Sequence, residues 1–515
     1  MPTPMPFDPT GIYLEIGKGL ARQLYAQLRT RVLEGRLEAG TRLPASRDLA
    51  RALGISRNTV IEAYEQLHAE GFTQARIGDG TFITAAIPQT NSKQAACSST
   101  GLSTAFRGCL PTALSTESAV SPSSASSYTP AFQQALSTPS ALSSTNGPRA
   151  FQVGLPAFDL FPFSVWSKLY SAFWRKPDLS ALGYQPPAGS RTLRNMIAAY
   201  LRSSRGLACE ADQIVITCGA QQGISLCAQL LLQVGDCAAM ENPGYRAAGH
   251  ALASAGARLV GIGVDAQGLR CDDLKQLKDC RLAYVTPAHQ YPTGVTLSLA
   301  RRLQLLEWAQ ANEAWILEDD YDGEYRYKGA PLAPLAALDS SGRVIYIGTF
   351  GKIAFPALRL GYLVLPKHLT TAFAQRRAVD MRHSEVSSQW VMAEFMARGH
   401  FQRHVRRMRK AALSRRDTLL ALWPRTIPGC LPMPEVSAGL HVKIDVTDCH
   451  REAELVNLAA QVAVDIQPLS NYWFDQPAVE GVVPADKPSG LVLGFAGVNE
   501  VDIANAVARL RGVWG

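Results

Sequence analysis

Two apolar runs that each end in polar residues constrain the fold of this chain more than any other feature. The first is Trp315-Ile-Leu, which continues into Glu-Asp-Asp-Tyr, and the second is Ile345-Tyr-Ile-Gly, which continues into Thr-Phe-Gly-Lys. Runs of this length predict buried β-strands. Ligands of open α/β sheets lie at the carboxyl ends of parallel strands. We therefore expect the polar residues that follow both strands to face one crevice: Asp319, Tyr321, Thr349 and Lys352.

A carboxylate, a phenol, a hydroxyl and an amine would meet in that crevice. Pyridoxal phosphate combines a pyridine, a phenol, a phosphate and an aldehyde, and it is held on a lysine as a Schiff base. The four side chains suit these groups, so the sequence predicts a pyridoxal-phosphate site. Taken alone, the motif is as compatible with a solvated Lys352 and an Asp319 that caps a helix as it is with a cofactor site.

Two further segments favour the cofactor site. Arg359, in Pro356-Ala-Leu-Arg-Leu-Gly-Tyr, carries a charge that can meet a phosphate. Far upstream, an apolar run from Ile214 ends in Thr-Cys-Gly-Ala-Gln-Gln222, which predicts a strand, a glycine turn and a helix. The N–H groups at the start of such a helix form an anion cradle. Four separated segments in a workable order argue against a chance match.

The first part of the chain predicts a winged helix-turn-helix. Ser46 is the expected N-cap of a helix over 47–53, and Ser56 is the expected N-cap of a second helix over 57–70. Two short helices joined by a tight glycine turn form a helix-turn-helix. The segment 72–84 then has two short strand-like runs around a glycine-containing turn, which predicts a β-hairpin, the wing.

DNA recognition is predicted at the N-terminal end of the second helix, which would enter the major groove. Arg57 and Asn58 carry side chains suited to the edges of guanine and adenine. The predicted DNA-binding residues, which include a phosphate or base contact from the preceding helix and a minor-groove contact from the wing, are Arg47, Ser56, Arg57, Asn58, Thr59 and Gly78. The alternative is a small helical interaction domain in which the arginine and asparagine side chains are merely solvated.

Composition bounds the class of protein without deciding its function. A chain of 515 residues exceeds one core and predicts two or three domains. Residues 1–87 carry ten Lys/Arg and nine Asp/Glu, so only the local motif indicates DNA binding. Ten cysteines without a C-x-x-C pair, no apolar run of about 18 residues and no signal-peptide pattern predict a cytoplasmic protein without a membrane segment.

The predicted organisation is a DNA-binding domain over 1–87, a linker over 88–150 and an effector domain over 151–515. The linker contains fifteen serines and almost no charge, which predicts a flexible tether with a root-mean-square span of about 45 Å. In the effector domain, alternating strands and helices predict a large, mostly parallel sheet domain, and a small α+β domain follows from about 400. The fold class is therefore multidomain: an α+β winged helix-turn-helix followed by an α/β domain.

These motifs resemble a known family. Glu318-Asp-Asp-Tyr-Asp-Gly-Glu-Tyr, Gly348-Thr-Phe-Gly-Lys and Glu241-Asn-Pro-Gly-Tyr are similar to motifs of the aspartate-aminotransferase-like, fold type I, pyridoxal-phosphate proteins. Together with Leu43-Pro-Ala-Ser-Arg-Asp-Leu-Ala and Ser56-Arg-Asn-Thr-Val, they make the whole chain resemble the MocR/GabR subfamily of GntR-type regulators. The resemblance covers most of the chain apart from the linker and the first few residues.

The resemblance implies roles for the predicted cofactor residues. Lys352 would form the internal aldimine, Asp319 would pair with the pyridine nitrogen, and Tyr321 would bond the phenolic oxygen. Tyr245 would stack on the ring face, and its alternative is a packed surface aromatic residue. The phosphate would be held by the turn after the first strand and by two side chains: Ala220, Gln221, Thr349 and Arg359. No metal ion is expected.

The sequence departs from the family enzymes at two places. Where these enzymes carry Asn-Pro-x-Gly, this chain has His-Gln-Tyr-Pro-Thr-Gly from residue 289, with Tyr291 at the asparagine position. His289 and Gln290 are the candidates to take over that contact. Val492 stands where aminotransferases place the arginine that clamps the substrate carboxylate, which argues against ordinary amino-acid turnover. His441 is as compatible with a core histidine as with a ligand contact.

Two functions follow from these observations. The first is a transcription regulator that senses pyridoxal phosphate, a small amine or amino-acid effector, or both, through a Schiff base. By resemblance it is a head-to-tail homodimer whose two winged helices read double-stranded operator DNA. The alternative is a working aminotransferase with an accessory DNA-binding domain. The constellation around Lys352 supports both functions, whereas Val492 and the complete recognition helix favour the regulator.

Overall fold

The computed structural model describes residues 7, 9, 11–15, 19–76, 80–84, 148–277, 279–327, 332–474 and 487–514. The predicted linker lies outside the described residues except for 148–150, and so does Gly78 at the predicted tip of the wing. The described residues form an N-terminal helical domain, a large α/β domain and a small α+β domain.

The N-terminal domain is a winged helix-turn-helix. Its helices are α1 (Leu20–Leu33), α2 (Ser46–Leu53) and α3 (Arg57–Ala69). Its hairpin pairs β1 (Thr73–Arg76) with β2 (Gly80–Ile83) in antiparallel fashion. Apolar residues of the three helices and the hairpin form one buried core. The recognition helix therefore rests on a packed support, with its polar face left outside.

The prediction that Ser46 is an N-cap is wrong. Ser46 is the first residue of α2, and the cap position is Ala45, which offers no side-chain hydrogen bond. The hydroxyl of Ser46 instead accepts a hydrogen bond from Nε of Arg57, at 3.2 Å. In α3 the cap is as expected, because Oγ of Ser56 accepts a hydrogen bond from the backbone N–H of Thr59 at 3.2 Å.

The large domain is built on an eight-stranded sheet. Its strands are β3 (Ile214–Thr217), β4 (Cys237–Asn242), β5 (Arg258–Asp265), β6 (Gly268–Leu269), β7 (Cys280–Val285), β8 (Trp315–Asp320), β9 (Val344–Thr349) and β10 (Gly361–Val364). The spatial order is β3-β10-β9-β8-β7-β4-β5-β6. The strands β9, β8, β7, β4 and β5 pair in parallel, while β10 is antiparallel to β3 and β9 and β6 is antiparallel to β5. The sheet is thus mixed, and β10 is a strand that the sequence pattern did not indicate.

Helices cover both faces of this sheet. They are α4 (Phe163–Arg175), α5 (Arg191–Ser204), α6 (Ala220–Leu231), α7 (Arg246–Ser254), α8 (Cys271–Lys275), α9 (Leu299–Ala311), α10 (Thr370–Met381) and α11 (Val386–Ala397). Along β9, Ile345 and Ile347 pack in the core cluster that contains α6, whereas Tyr346 packs in the cluster that contains α5 and α11. This alternation is expected of a strand that is buried on both faces.

The small domain is an antiparallel sheet with helices. The long helix α12 (His400–Leu422) leads into it, and its sheet has the order β11 (His441–Val446), β13 (Ser489–Gly494), β12 (Gln467–Pro468). Its remaining helices are α13 (Cys449–Gln461) and α14 (Glu500–Trp514). Among the described residues, no helix has the length and apolar character needed to cross a membrane.

The N-terminal domain contacts the large domain of the same chain. Leu299, at the start of α9, packs into the core of the N-terminal domain. Arg29 donates a hydrogen bond to the carbonyl oxygen of Ala337 at 2.9 Å, and Glu70, just after α3, accepts one from the N–H of Ala333 at 3.4 Å. The contact therefore uses the carboxyl end of α3, and the opposite end of this helix carries the predicted recognition residues.

Candidate functional site

A cleft of about 210 Å³ opens at the carboxyl ends of β8 and β9, and the small domain contributes Leu440 and His441 to its wall. All eight residues predicted to hold the cofactor line this cleft: Ala220, Gln221, Tyr245, Asp319, Tyr321, Thr349, Lys352 and Arg359. Gly154 and Tyr284 also line it, and nothing local in the sequence marks either residue. Because the carboxyl ends of neighbouring strands lie at one edge of the sheet, segments that are far apart along the chain meet in this cleft.

Lys352 lies three residues beyond β9, and its ammonium group donates a hydrogen bond to the carbonyl oxygen of Gly154 at 2.8 Å. Burial lowers the pKa of this amine, while the nearby carboxylates of Asp322 and Asp319 oppose the shift. A lowered pKa increases the fraction of neutral amine, which is the nucleophilic form that attacks an aldehyde. Lys352 is thus prepared electrostatically for a Schiff base.

Asp319, at the end of β8, has one satisfied and one free carboxylate oxygen. Oδ2 accepts a hydrogen bond from the hydroxyl of Tyr284 at 2.7 Å, while buried Oδ1 has no partner among the described residues. Burial raises the pKa of Asp319 to about 7, against the opposing effect of the Tyr284 hydrogen bond. A buried acceptor without a partner is costly unless a ligand satisfies it. A protonated pyridine nitrogen is a donor of the required kind.

The opposite end of the cleft is suited to a phosphate. Helix α6 begins at Ala220, directly after Gly219, whose φ of 84° turns the chain into the helix. The guanidinium carbon of Arg359 lies 3.6 Å from where a Cβ on Gly219 would stand. The side-chain amide of Gln221 donates to the carbonyl oxygen of Ala247 at 2.7 Å, so a contact from Gln221 to an anion is expected from its backbone N–H at the start of α6. Helix N–H groups and an arginine fit a phosphate.

The phenol of Tyr321 is held by His289. The hydroxyl donates a hydrogen bond to the carbonyl oxygen of His289 at 2.9 Å, and Nδ1 of the same histidine lies 3.0 Å from the hydroxyl oxygen. Gln290 instead donates to the carbonyl oxygen of Pro243 at 3.0 Å and to that of Tyr291 at 2.7 Å. The candidates to replace the asparagine that this chain lacks at position 291 are His289 and Gln290. The structure brings His289, and not Gln290, into contact with Tyr321.

Aromatic side chains form one wall of the cleft. Tyr245, which directly precedes α7, meets Tyr291 edge to face with ring centres 5.9 Å apart. Tyr291 in turn donates a hydrogen bond to the hydroxyl of Tyr472 in the small domain, at 3.2 Å. Burial raises the pKa of Tyr245 to about 12, so its phenol is neutral in the physiological range. A neutral ring in this wall suits stacking on a planar cofactor.

The position at which the resemblance predicts a carboxylate-clamping arginine is occupied by an uncharged side chain. Val492 is fully buried in β13, and among the described residues that line the cleft only Lys352 and Arg359 are cationic. His441 is 1% exposed, and burial together with nearby His289 holds its pKa well below the usual value. It is therefore neutral. His441 lies in the cleft wall and its Nε2 is also 3.0 Å from the carbonyl oxygen of Pro292, so both a core role and a ligand contact stay compatible with its position.

Three buried side chains have a spacing compatible with a metal ion. One ligand atom from each of His289, Asp322 and His441 lies within 4.8 Å of the others. However, Nδ1 of His289 is already 2.9 Å from Oδ2 of Asp322, and Nε2 of His441 is 3.0 Å from the carbonyl oxygen of Pro292. Because these contacts satisfy the polar atoms without an ion, the cluster gives no support for a metal site.

The predicted DNA-reading side chains lie on the outside of the N-terminal domain. Arg47, Ser56, Arg57 and Asn58 are exposed, and Thr59 is half-buried. Hydrogen bonds tie the two helices together at this end, since Arg57 in α3 contacts the first residue of α2. The surface is therefore polar, preformed and free in this chain, while contacts to bases remain a prediction.

Comparison with known proteins matches two parts of the chain to two families. Residues 20–83 match the family described as bacterial regulatory proteins, gntR family, and residues 177–427 match aminotransferase class I and II. The probable rhizopine catabolism regulatory protein MocR of Rhizobium meliloti is 35% identical over 491 residues, which cover 95% of this chain and 92% of that protein. The pyridoxine biosynthesis transcriptional regulator PdxR of Corynebacterium glutamicum is 31% identical over 513 residues, which cover 98% of this chain and 96% of that protein.

Solved structures match the second part of the chain. The Pyrococcus horikoshii kynurenine aminotransferase is 26% identical with a TM-score of 0.62, over 72% of this chain and 91% of that chain. An archaeal alanine:glyoxylate aminotransferase is 26% identical with a TM-score of 0.64, over 71% of this chain and 90% of that chain. These matches confirm the predicted fold class.

A gntR-type winged helix followed by an aminotransferase-like domain defines a class of bacterial regulator in which a DNA reader is fused to an enzyme-like fold. Within that class, the chain belongs to the MocR/GabR-type regulators, as its identity with MocR and PdxR over almost their whole lengths shows.

Proposed function

We propose that this protein is a DNA-binding transcription regulator whose aminotransferase-like domain binds pyridoxal phosphate on Lys352 and senses the cofactor, an amine effector, or both. The observation that carries the proposal is the coexistence of an exposed polar surface at the start of α3 with a cleft that Lys352, Asp319 and Arg359 line together. Regulation then requires that the ligand favour one arrangement of the two domains over another.

Three features of the cleft support pyridoxal phosphate. The free Oδ1 of Asp319 offers the acceptor that a pyridinium nitrogen needs, and Lys352 offers an amine whose pKa is lowered by burial. The start of α6 and Arg359 offer donors to a phosphate. When bound, the cofactor supplies an electrophilic carbon that captures primary amines. The residues of this chain would bind the pyridine nitrogen, the aldehyde carbon and the phosphate of the cofactor. They would also stack its ring against Tyr245 and keep water away from Asp319.

An amine effector would enter the cleft beside Lys352. The lining side chains that the cofactor assignment does not use include the ring of Tyr291, the apolar surface of Leu440 and the neutral imidazole of His441. Lys352 and Arg359 are the two cationic groups of the described lining, and both are used by the cofactor. We therefore expect slow or absent turnover of amino acids, because a carboxylate would lack a bidentate partner.

We also propose a head-to-tail homodimer. Trp174, Leu182 and Tyr184 line one shallow groove on the large domain, and they are 56%, 51% and 83% exposed. Exposed apolar side chains clustered in this way mark interaction surfaces. A Leu182→Asp, Tyr184→Asp double variant should be monomeric in sedimentation at concentrations where the unmodified chain is dimeric. A dimer that survives both substitutions would contradict the use of this surface.

The decisive experiment is the near-visible absorbance of the purified protein during titration with pyridoxal phosphate and then with a panel of amines and amino acids. A Schiff-base band that shifts with one amine and stays shifted indicates a sensor. A band that decays to the pyridoxamine form and returns with a keto acid indicates the alternative, a working aminotransferase. If no band forms after pyridoxal phosphate is added, the cofactor assignment is wrong.

A further inference from the structure

The imidazole of His289 is enclosed between the large and the small domain, and its side chain is 5% exposed. On the large-domain side, Nδ1 lies 2.9 Å from Oδ2 of Asp322 and 3.0 Å from the hydroxyl oxygen of Tyr321. On the small-domain side, the ring of His441 lies with its centre 4.7 Å away. The ring of His289 is therefore fixed by contacts from both domains.

Two glycines shape the slot that holds this ring. A Cβ on Gly439, which has a φ of 82°, would lie 1.9 Å from Cε1 of His289. A Cβ on Gly294, with a φ of 78°, would lie 3.2 Å from Nε2 of the same ring. Glycine suits both positions because it tolerates positive φ and leaves room for a close approach. The slot fits an imidazole tightly and leaves it little freedom to rotate.

The hydrogen bonds define what this histidine does. A carboxylate oxygen accepts hydrogen bonds, so the contact with Asp322 favours the tautomer of His289 that carries its hydrogen on Nδ1. From there the N–H also faces the oxygen of Tyr321, whose own hydrogen is directed at the carbonyl oxygen of His289. The side chain and the backbone of one residue thus hold the phenol oxygen from two sides, at the wall of the cleft.

We propose that His289, oriented by Asp322, is a positioning residue that holds the hydroxyl of Tyr321 where it meets the phenolic oxygen of pyridoxal phosphate. This inference rests on the proposed function, because it concerns a contact to the cofactor. Tyr291, which stands at the asparagine position of the family enzymes, is engaged by Tyr472 and does not contact the phenol of Tyr321 by a hydrogen bond. The imidazole of His289 therefore makes the contact with the hydroxyl of Tyr321 that the side chain at position 291 does not make.

The expected effect is on the bound chromophore rather than on folding. When the cofactor is bound, the hydroxyl of Tyr321 would turn its hydrogen from the carbonyl oxygen of His289 to the phenolic oxygen, while the contact with Nδ1 of His289 keeps the phenol in place. A donor to the phenolic oxygen stabilises its anionic form and thereby reduces the proton affinity of the conjugated Schiff base. If the hydroxyl of Tyr321 loses its orientation, the pH at which the near-visible band changes should rise. The charged and titratable groups that face this pair from the neighbouring elements are Glu241, Tyr291, Asp319, Asp322, Lys352 and His441.

The test compares His289→Asn with His289→Gln in the full-length protein loaded with pyridoxal phosphate. The amide nitrogen of asparagine occupies the place of Nδ1, whereas that of glutamine occupies the place of Nε2, so only asparagine retains the donor to Tyr321. We expect a pH midpoint near that of the unmodified protein for His289→Asn and a midpoint raised by about one pH unit for His289→Gln. Tyr321→Phe should raise the midpoint at least as much.

The same pair of variants in a Tyr321→Phe background separates orientation from a direct effect. If His289 acts through the phenol, Asn and Gln at position 289 should give equal midpoints in that background. Equal midpoints in the unmodified background, or a difference that persists without the phenol, would overturn the inference while leaving the cofactor assignment intact. An unmodified protein that forms no band would instead overturn the proposed function and this inference together.

Discussion

The DNA reader and the cofactor cleft place their polar side chains in opposite environments. In the reader, Arg47, Arg57 and Asn58 are exposed and lie within one helix-turn-helix. In the cleft, Asp319 is 4% exposed, and the hydrogen bond from Lys352 to Gly154 joins residues that are 198 positions apart. The polar side chains of the helix-turn-helix are exposed to a binding partner, whereas those of the cleft are buried and have shifted pKa values.

The difference appears in the ionisation of the two sets of groups. In the cleft, burial raises the pKa of Asp319, lowers that of Lys352 and holds that of His441 well below its usual value. Clustered pKa shifts of this kind are typical of sites that handle reactive ligands. The predicted DNA-binding side chains are instead exposed, and charges of this kind gain energy when they meet the phosphates and bases of DNA. Substitutions in the two regions should therefore fail in different measurements.

The largest expected effect is that of Lys352→Ala. The variant should bind pyridoxal phosphate without a Schiff-base band and should not respond to amines, because no other lysine lines the described cleft. Absorbance and operator binding measured on one preparation check this. The matched control is Lys410→Ala, which removes an exposed lysine from α12 and should retain the band. An amine response that survives in Lys352→Ala would contradict sensing through a Schiff base on Lys352.

The pH dependence of stability should change with Asp319→Asn. Asp319 has a folded pKa of about 7, above the unfolded value of 3.8, so the folded state binds the extra proton. Its contribution therefore destabilises the cofactor-free protein progressively from about pH 4 to pH 7 and is constant above that. Between pH 5 and pH 8, the free energy of unfolding should fall by on the order of 2 kcal/mol more in the unmodified protein than in the variant.

Denaturant titrations of the cofactor-free proteins at both pH values measure this difference. The comparison is internal to each protein, so a general loss of stability in the variant cancels. Parallel pH profiles for Asp319→Asn and the unmodified chain would show that the carboxyl is ionised in the folded state throughout this range.

Replacing Arg57 should weaken DNA binding without touching the cofactor. Arg57→Ala should reduce affinity for the operator about tenfold, as expected for the loss of one base contact, and should leave the near-visible band unchanged. Fluorescence anisotropy at fixed salt measures the change. Arg425→Ala, which removes an exposed arginine from the small domain, serves as the control. Equal losses for both variants would mean that charge, rather than recognition, accounts for the effect.

The smallest expected effect distinguishes the two serines of the reader. Ser56→Ala removes the hydrogen bond to the N–H of Thr59 and should cost about 1 kcal/mol of stability. Ser46→Ala removes no cap and should cost less, because its hydroxyl contacts only the exposed side chain of Arg57. Thermal unfolding of the full-length protein with each single substitution measures both effects. A larger loss for Ser46→Ala would contradict the placement of the two caps.

Elements with local signals could be predicted from the amino-acid sequence. The helix-turn-helix follows from Ser56 and the glycine turn before it, and the cofactor motif follows from polar residues directly after the apolar runs that end near Asp319 and Thr349. Both signals lie within a few residues, where periodicity and capping act.

Contacts between distant segments became visible only in the folded structure. It assigned the support of Tyr321 to His289 rather than Gln290, and it placed Tyr284 beside Asp319, 35 positions away. It also inserted the antiparallel strand β10, whose four residues carry too short a pattern to be recognised alone. These choices depend on burial, strand order and hydrogen-bond satisfaction, which arise when the chain packs and which no local stretch of sequence specifies.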